Sequence, residues 1–171
     1  MPNHQHFMAE ALVEAEDALR QGEFPVGCVI VHEGSIVARG RREQSGGKAS
    51  AMANELDHAE ILALRDLLTT QPHISPATVT VYATLEPCLM CFAALLISGV
   101  RSIVYAYEDA MGGGTSLPLE QLNPLYREMT VSITPQVLRA RSLLLFKQFF
   151  AGSGNGYLSG TMLADYTLSQ P

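Results

Sequence analysis

The chain has 171 residues, 47% of them hydrophobic, which suits one globular domain with a core of its own. It has no run of about eighteen apolar residues, and its start, MPNHQHFMAE, lacks the basic-then-apolar pattern of a secretory leader, so a soluble, cytoplasmic protein with no membrane partner is expected. The net charge of −6 runs against the basic footprint of phosphate-backbone binding, while Cys28, Cys88 and Cys91 make a poor disulfide framework and a better metal-binding set in a reducing compartment.

From His4 to Gln21, Phe7, Met8, Ala11, Leu12, Ala15 and Leu19 recur at three- and four-residue spacing between acids, which predicts an amphipathic helix ended by Gly22. PVGCVIV from Pro25 and SIVARG from Ser35 are β-branched runs flanking Glu33 and Gly34, and they predict a hairpin. The polar stretch from Arg41 to Asp57 reads as a loop unusually long for a compact domain, a sign of function. HAEILALRDLL from His58 predicts a helix that Asp57 can cap. TVTVYATL is then a strand, CLMCFAALLIS a helix and SIVYAY another strand, an alternation that implies a mostly parallel sheet with helices on its faces. Beyond the glycines at 112–114, a short helix is expected near Leu119, MTVSIT supplies a fifth strand, and Pro135 opens a final helix through about Phe150. Residues 1–150 thus form one domain, with 151–171 as an arm or tail.

The chemistry gathers in H-A-E at His58 to Glu60 and P-C-L-M-C at Pro87 to Cys91. Three candidate zinc ligands, His58, Cys88 and Cys91, with one carboxylate, Glu60, have the composition of an open catalytic site, whereas a structural zinc usually takes a fourth protein ligand. Cys28, inside PVGCVIV, is more simply a core residue. Cys88 and Cys91 stand at i and i+3 of a helix start, so both sulfurs face one way, and the positive end of that helix favours thiolates. If the two helix starts converge at one sheet edge, two thiolates and an imidazole leave a position for a metal-activated water, and Glu60 becomes the proton carrier. H-x-E alone is usually surface decoration and C-x-x-C alone can be a redox pair or half a structural zinc site; their joint order and context carry the reading.

H-x-E followed by P-C-x-x-C is the signature of zinc deaminases, and FPVGCVIV, DHAEILALR and VYATLEPCLMCFAALL resemble blocks of bacterial tRNA adenosine deaminases within the cytidine deaminase superfamily. The resemblance runs from roughly Phe7 to Phe150. It implies a three-layer α/β/α fold with a five-stranded mixed sheet flanked by helices, one Zn2+ per subunit held by His58, Cys88 and Cys91, Glu60 as proton shuttle, and a homodimer. The dimer also suits FAALLIS, which is apolar on nearly all sides.

Three departures bear on substrate. Many members of the resembling family carry a substrate-binding asparagine after the second strand, where this chain reads Gly40, Arg41, Arg42; Arg42 accepts no hydrogen bond, so Asn54 is a candidate substitute as well as a plain turn residue. Asp57 is either the helix cap or a pocket residue favouring N–H donors, and Ala59 joins Asn54, Asp57 and Arg42 as a candidate substrate contact. From Phe149 onwards there is no Lys or Arg, and Arg39, Arg41 and Arg42 form the one dense basic cluster. The expected activity is therefore hydrolytic deamination of a small purine or pyrimidine base or nucleoside, with a tRNA wobble-adenosine deaminase as the alternative. A non-catalytic zinc-stabilised scaffold is the third possibility, and Glu60, of no use to a structural metal, speaks against it.

Overall fold

The computed structural model describes residues 3–46, 53–152 and 156–171. The expected loop from Arg41 to Asp57 lies outside them at 47–52, as does the arm at 153–155. In chain order the elements are α1 (His4–Arg20), β1 (Gly27–His32), β2 (Ser35–Arg41), α2 (Ala59–Thr70), β3 (Thr80–Leu85), α3 (Leu89–Ile97), β4 (Ser102–Tyr107), α4 (Pro124–Arg127), β5 (Ser132–Thr134), α5 (Arg139–Ala151) and α6 (Met162–Ser169). A single 3-10 turn at Leu119–Gln121 stands where a short helix was expected.

The five strands lie in the order β2-β1-β3-β4-β5. β1 pairs antiparallel with β2 and with β3, whereas β3–β4 and β4–β5 are parallel. The β1–β2 hairpin turns at Glu33 and Gly34, both at positive φ, as a tight two-residue connection requires.

Side-chain alternation sends Val29, Val31, Tyr82, Val104 and Ala106 to the face packed by α1, where Leu145 of α5 joins them. Cys28, Ile30, Val81 and Ile103 face the other way, toward α2 and α3. Two glycines let the layers meet. A Cβ on Gly27 would stand 2.2 Å from the Ala11 carbonyl of α1, and one on Gly40 would stand 2.2 Å from the Ala59 carbonyl of α2. The result is helices on both faces of a mixed sheet, as expected.

Two boundaries differ from the sequence reading. Pro135 does not open the last long helix: Gln136 and Leu138 both have positive φ, which interrupts any helix, and α5 starts at Arg139. Within the C-terminal arm, Thr161 caps α6 by accepting from the Ala164 N–H, and Leu163, Ala164 and Thr167 are buried. None of the described helices is long and apolar enough to cross a membrane.

Candidate active site and metal centre

Because β1 is antiparallel to both its neighbours, β2 runs parallel to β3 and β4, and the helices that follow β2 and β3 begin at the same sheet edge. His58 is the N-cap of α2 and Cys88 the N-cap of α3, both in extended backbone conformation. Neither side chain caps its helix, so both are free to point at each other across the edge. Cys91 follows one turn into α3 and is buried.

The three side chains meet. His58 Nδ1 lies 3.5 Å from Cys88 Sγ and 3.5 Å from Cys91 Sγ, and the three ligand atoms all fall within 4.8 Å of one another. No fourth His, Cys, Asp or Glu joins this set among the described residues. Cys28 is fully buried in the sheet core, where burial pushes its thiol up. Donor chemistry fits a zinc ion: one imidazole nitrogen and two sulfurs, already oriented at one point.

Electrostatics follow from the packing. Hydrogen bonding from the Cys91 thiol, ahead of that with His58, brings the Cys88 thiol down to about 4 against the upward push of burial. The same bond, followed by burial and the nearby Glu60, drives the Cys91 thiol up. A hydrogen bond to Cys88 raises His58. Glu60, on the first turn of α2, has its Oε2 3.6 Å from Cys91 Sγ, and burial pushes its carboxyl up. A carboxyl raised in this way is better matched to taking and releasing a proton than an ordinary, always ionised one.

His58, Glu60 and Cys88 border a cavity of about 210 Å³, smaller than the roughly 300–1,000 Å³ of sites for drug-sized ligands. Ala59 and Arg42 also line it, whereas Asn54 and Asp57 do not. Asp57 does not cap α2; its carboxylate accepts from Asn54 Nδ2 at 2.7 Å and from Arg65 at 2.8 Å. Asn54 in turn accepts from the Leu56 and Asp57 N–H groups, which makes it a turn residue. Arg42 reaches the cavity wall but is 2% exposed, and its Nη1 donates to the carbonyls of Glu43, Asn54 and Asp57.

Several wall residues escaped the sequence reading. Tyr157, Leu158 and Leu163 come from the C-terminal arm, and Phe24 from the start of the first strand segment. Asp109 also lines the cavity, and the glycine-rich segment after it is pinned: Glu86 accepts from the Asp109 and Thr115 N–H groups, and Asp109 from those of Met111 and Gly112. That is an ordinary held loop. An arm residue at the site leaves no local signal, since the aromatic that marks it sits about a hundred positions from the motif it faces.

The family model for the cytidine and deoxycytidylate deaminase zinc-binding region matches residues 1–107. A tRNA-specific adenosine deaminase of Streptococcus pyogenes is 29% identical over 145 residues, 85% of this chain and 88% of that protein. Among solved structures, one from studies of A-to-I editing by tRNA:A34 deaminases at the wobble position superposes with a TM-score of 0.66 and 29% identity, covering 82% of this chain and 98% of its own. Guanine deaminase from Nitrosomonas europaea, with a TM-score of 0.67 and 21% identity over 86% of this chain and 85% of its own, shares the fold.

Proposed function

The chain belongs to the cytidine and deoxycytidylate deaminase zinc-binding family and is a hydrolytic deaminase, and from that premise we propose that it acts on adenosine at the wobble position of tRNA. What carries the chemistry is the meeting of His58, Cys88 and Cys91 beside the buried Glu60. What carries the substrate is the kinship with proteins named for tRNA adenosine deamination, over 85% of this chain and most of their own length. This reverses the order expected from the three departures in the sequence, which had put a small base or nucleoside first.

In this reading His58, Cys88 and Cys91 would hold one zinc ion, which when bound would supply a Lewis acid that brings the pKa of a water towards neutrality. Glu60 takes a proton from the attacking water and passes it to a ring nitrogen, then takes the second proton from the hydroxyl now on the ring carbon and passes it to the leaving amine. The ring carbon gains oxygen, its bond to nitrogen breaks, and ammonia departs. Ala59 and the backbone that Arg42 braces form the wall beside the reacting atoms. The domain spans residues 1–150 with 151–171 as its arm, the setting is cytoplasmic, and the working unit is a homodimer.

A second reading, a free base or nucleoside as substrate, draws on one observation. Arg39 pairs with Glu10 and Glu14, Arg41 with Glu14 and Asp17, and Arg42 is buried, so the basic cluster is engaged internally and its charge is largely neutralised before any phosphate arrives. The two readings separate in one assay of ammonia release from an anticodon stem-loop with adenosine at the wobble position, set beside free bases and nucleosides. Turnover of the stem-loop is expected; turnover of free bases or nucleosides alone would establish the second reading. Glu60→Gln should keep its zinc and lose roughly 10²–10⁴-fold in rate. Parental activity in that variant would refute the shuttle.

A further inference from the structure

We propose, on the reading that His58 ligates a metal, that Glu55 is a positioning residue for His58 and that the C-terminal arm sets Glu55 through Tyr157. His58 turns Nδ1 to the two sulfurs, so its other nitrogen, Nε2, must carry the ring proton whenever the neutral imidazole serves as a ligand. That Nε2 is buried and has no hydrogen-bond partner among the described residues, while Glu55 Oε2 stands 3.7 Å away. A buried ring N–H needs an acceptor, and a small swing of the half-exposed Glu55 side chain supplies one.

Glu55 is not an idle surface acid. Its Oε2 accepts from the Tyr157 hydroxyl at 3.0 Å and from Arg42 Nη2 at 3.4 Å. Arg42 is fixed by three backbone carbonyls, and the Tyr157 ring is seated edge-on against Phe24 at 5.3 Å with the Arg42 guanidinium 5.7 Å from its centre. A physical chain therefore runs from the arm, through Tyr157 and Glu55, to the outer nitrogen of a candidate ligand. An acceptor on the outer nitrogen fixes the tautomer and the ring plane, and it raises the basicity of the nitrogen facing the metal. Lys or Arg could not replace Glu55 here, because His58 needs an acceptor and both offer only donors.

The test uses the purified full chain and its zinc affinity, read by competition with a chromophoric chelator, together with the absorption spectrum of the cobalt-loaded protein. Glu55→Gln should weaken zinc binding by about 10- to 100-fold and shift the cobalt bands, since the amide is a poorer acceptor on the outer nitrogen. Tyr157→Phe should weaken it in the same direction by less. In the double variant the loss should not exceed that of Glu55→Gln alone, because Tyr157 acts through Glu55. Zinc affinity and cobalt bands unchanged in Glu55→Gln would overturn the proposal, and strictly additive losses would overturn the part assigned to the arm. A parent chain that binds no zinc would overturn the metal reading itself, an outcome distinct from either.

Discussion

At the scale of single residues, Arg42 shows how a side chain can stand at an active-site wall and still serve the backbone. Its guanidinium donates to the carbonyls of Glu43, Asn54 and Asp57, which holds the approach to His58 in one path. Removing it leaves those partly buried carbonyls short of a donor, so Arg42→Ala should destabilise the protein by about 1–3 kcal/mol, read as a lower denaturant midpoint with an unchanged slope. Arg42→Lys should recover only part of that, because a point ammonium cannot replace a planar fork. An Ala variant that unfolds at the parental midpoint would show that the loop holds itself. In the sequence only its neighbours along the strand were visible; the carbonyls it braces lie up to fifteen positions away and its aromatic neighbour, Tyr157, more than a hundred. His58, Glu60, Cys88 and Cys91 were readable for the opposite reason: each pair lies within three positions at a helix start, and the joint order and context of the two motifs supplied the rest.

At the scale of elements, hydrophobic period and turn residues foretold α1, the hairpin, α2, β3, α3 and β4, all of which bury a regular face. Local pattern failed where backbone sign changed, at Gln136 and Leu138, and where an element is held by distant polar partners. α6 is such an element. Tyr166 donates to Glu108 at 2.8 Å, Arg139 forks onto the same carboxylate and also reaches Gln170, and the Tyr107 and Thr167 hydroxyls pair at 3.1 Å. Partial burial would push the Glu108 carboxyl up, but the bonds from Arg139 and Tyr166 outweigh it and hold the group below its ordinary value. A depressed carboxylate contributes stability that is whole above its unfolded pKa and is lost as pH falls through the folded one. Protection against hydrogen exchange at residues 162–169, corrected for the intrinsic rate at each pH, should therefore fall as the solution is acidified below the ordinary carboxylate range. Glu108→Gln should exchange fast there already at neutral pH, with less further change in acid. Equal protection in parent and variant at pH 7 would mean that apolar burial of Leu163 and Ala164 alone docks the helix.

At the scale of the whole molecule, the layer that carries the metal motif is unfinished on its outer side. α3 presents Cys91, Phe92, Leu95 and Leu96 to the core, yet Leu89 and Ile97 are 57% and 60% exposed, and Ala93 between them is only partly covered. These three stand at i, i+4 and i+8, so they form one apolar stripe along the helix instead of scattered surface residues. Covering such a stripe with a second copy removes apolar area from water on both partners and, since α3 also bears Cys91, braces the metal side chains from behind. The parent chain should then sediment at about twice 18.5 kDa at micromolar concentration. Ile97→Glu puts a charge at the C-terminal end of the stripe, where a dimer would have to desolvate it on both partners, and should sediment as a monomer. Because Ile97 faces away from the core, the variant should keep the secondary structure and the zinc of the parent, which separates loss of assembly from loss of fold. A parent that sediments as a monomer at that concentration would leave the stripe without a second copy to cover it and would withdraw the homodimer from the proposed function.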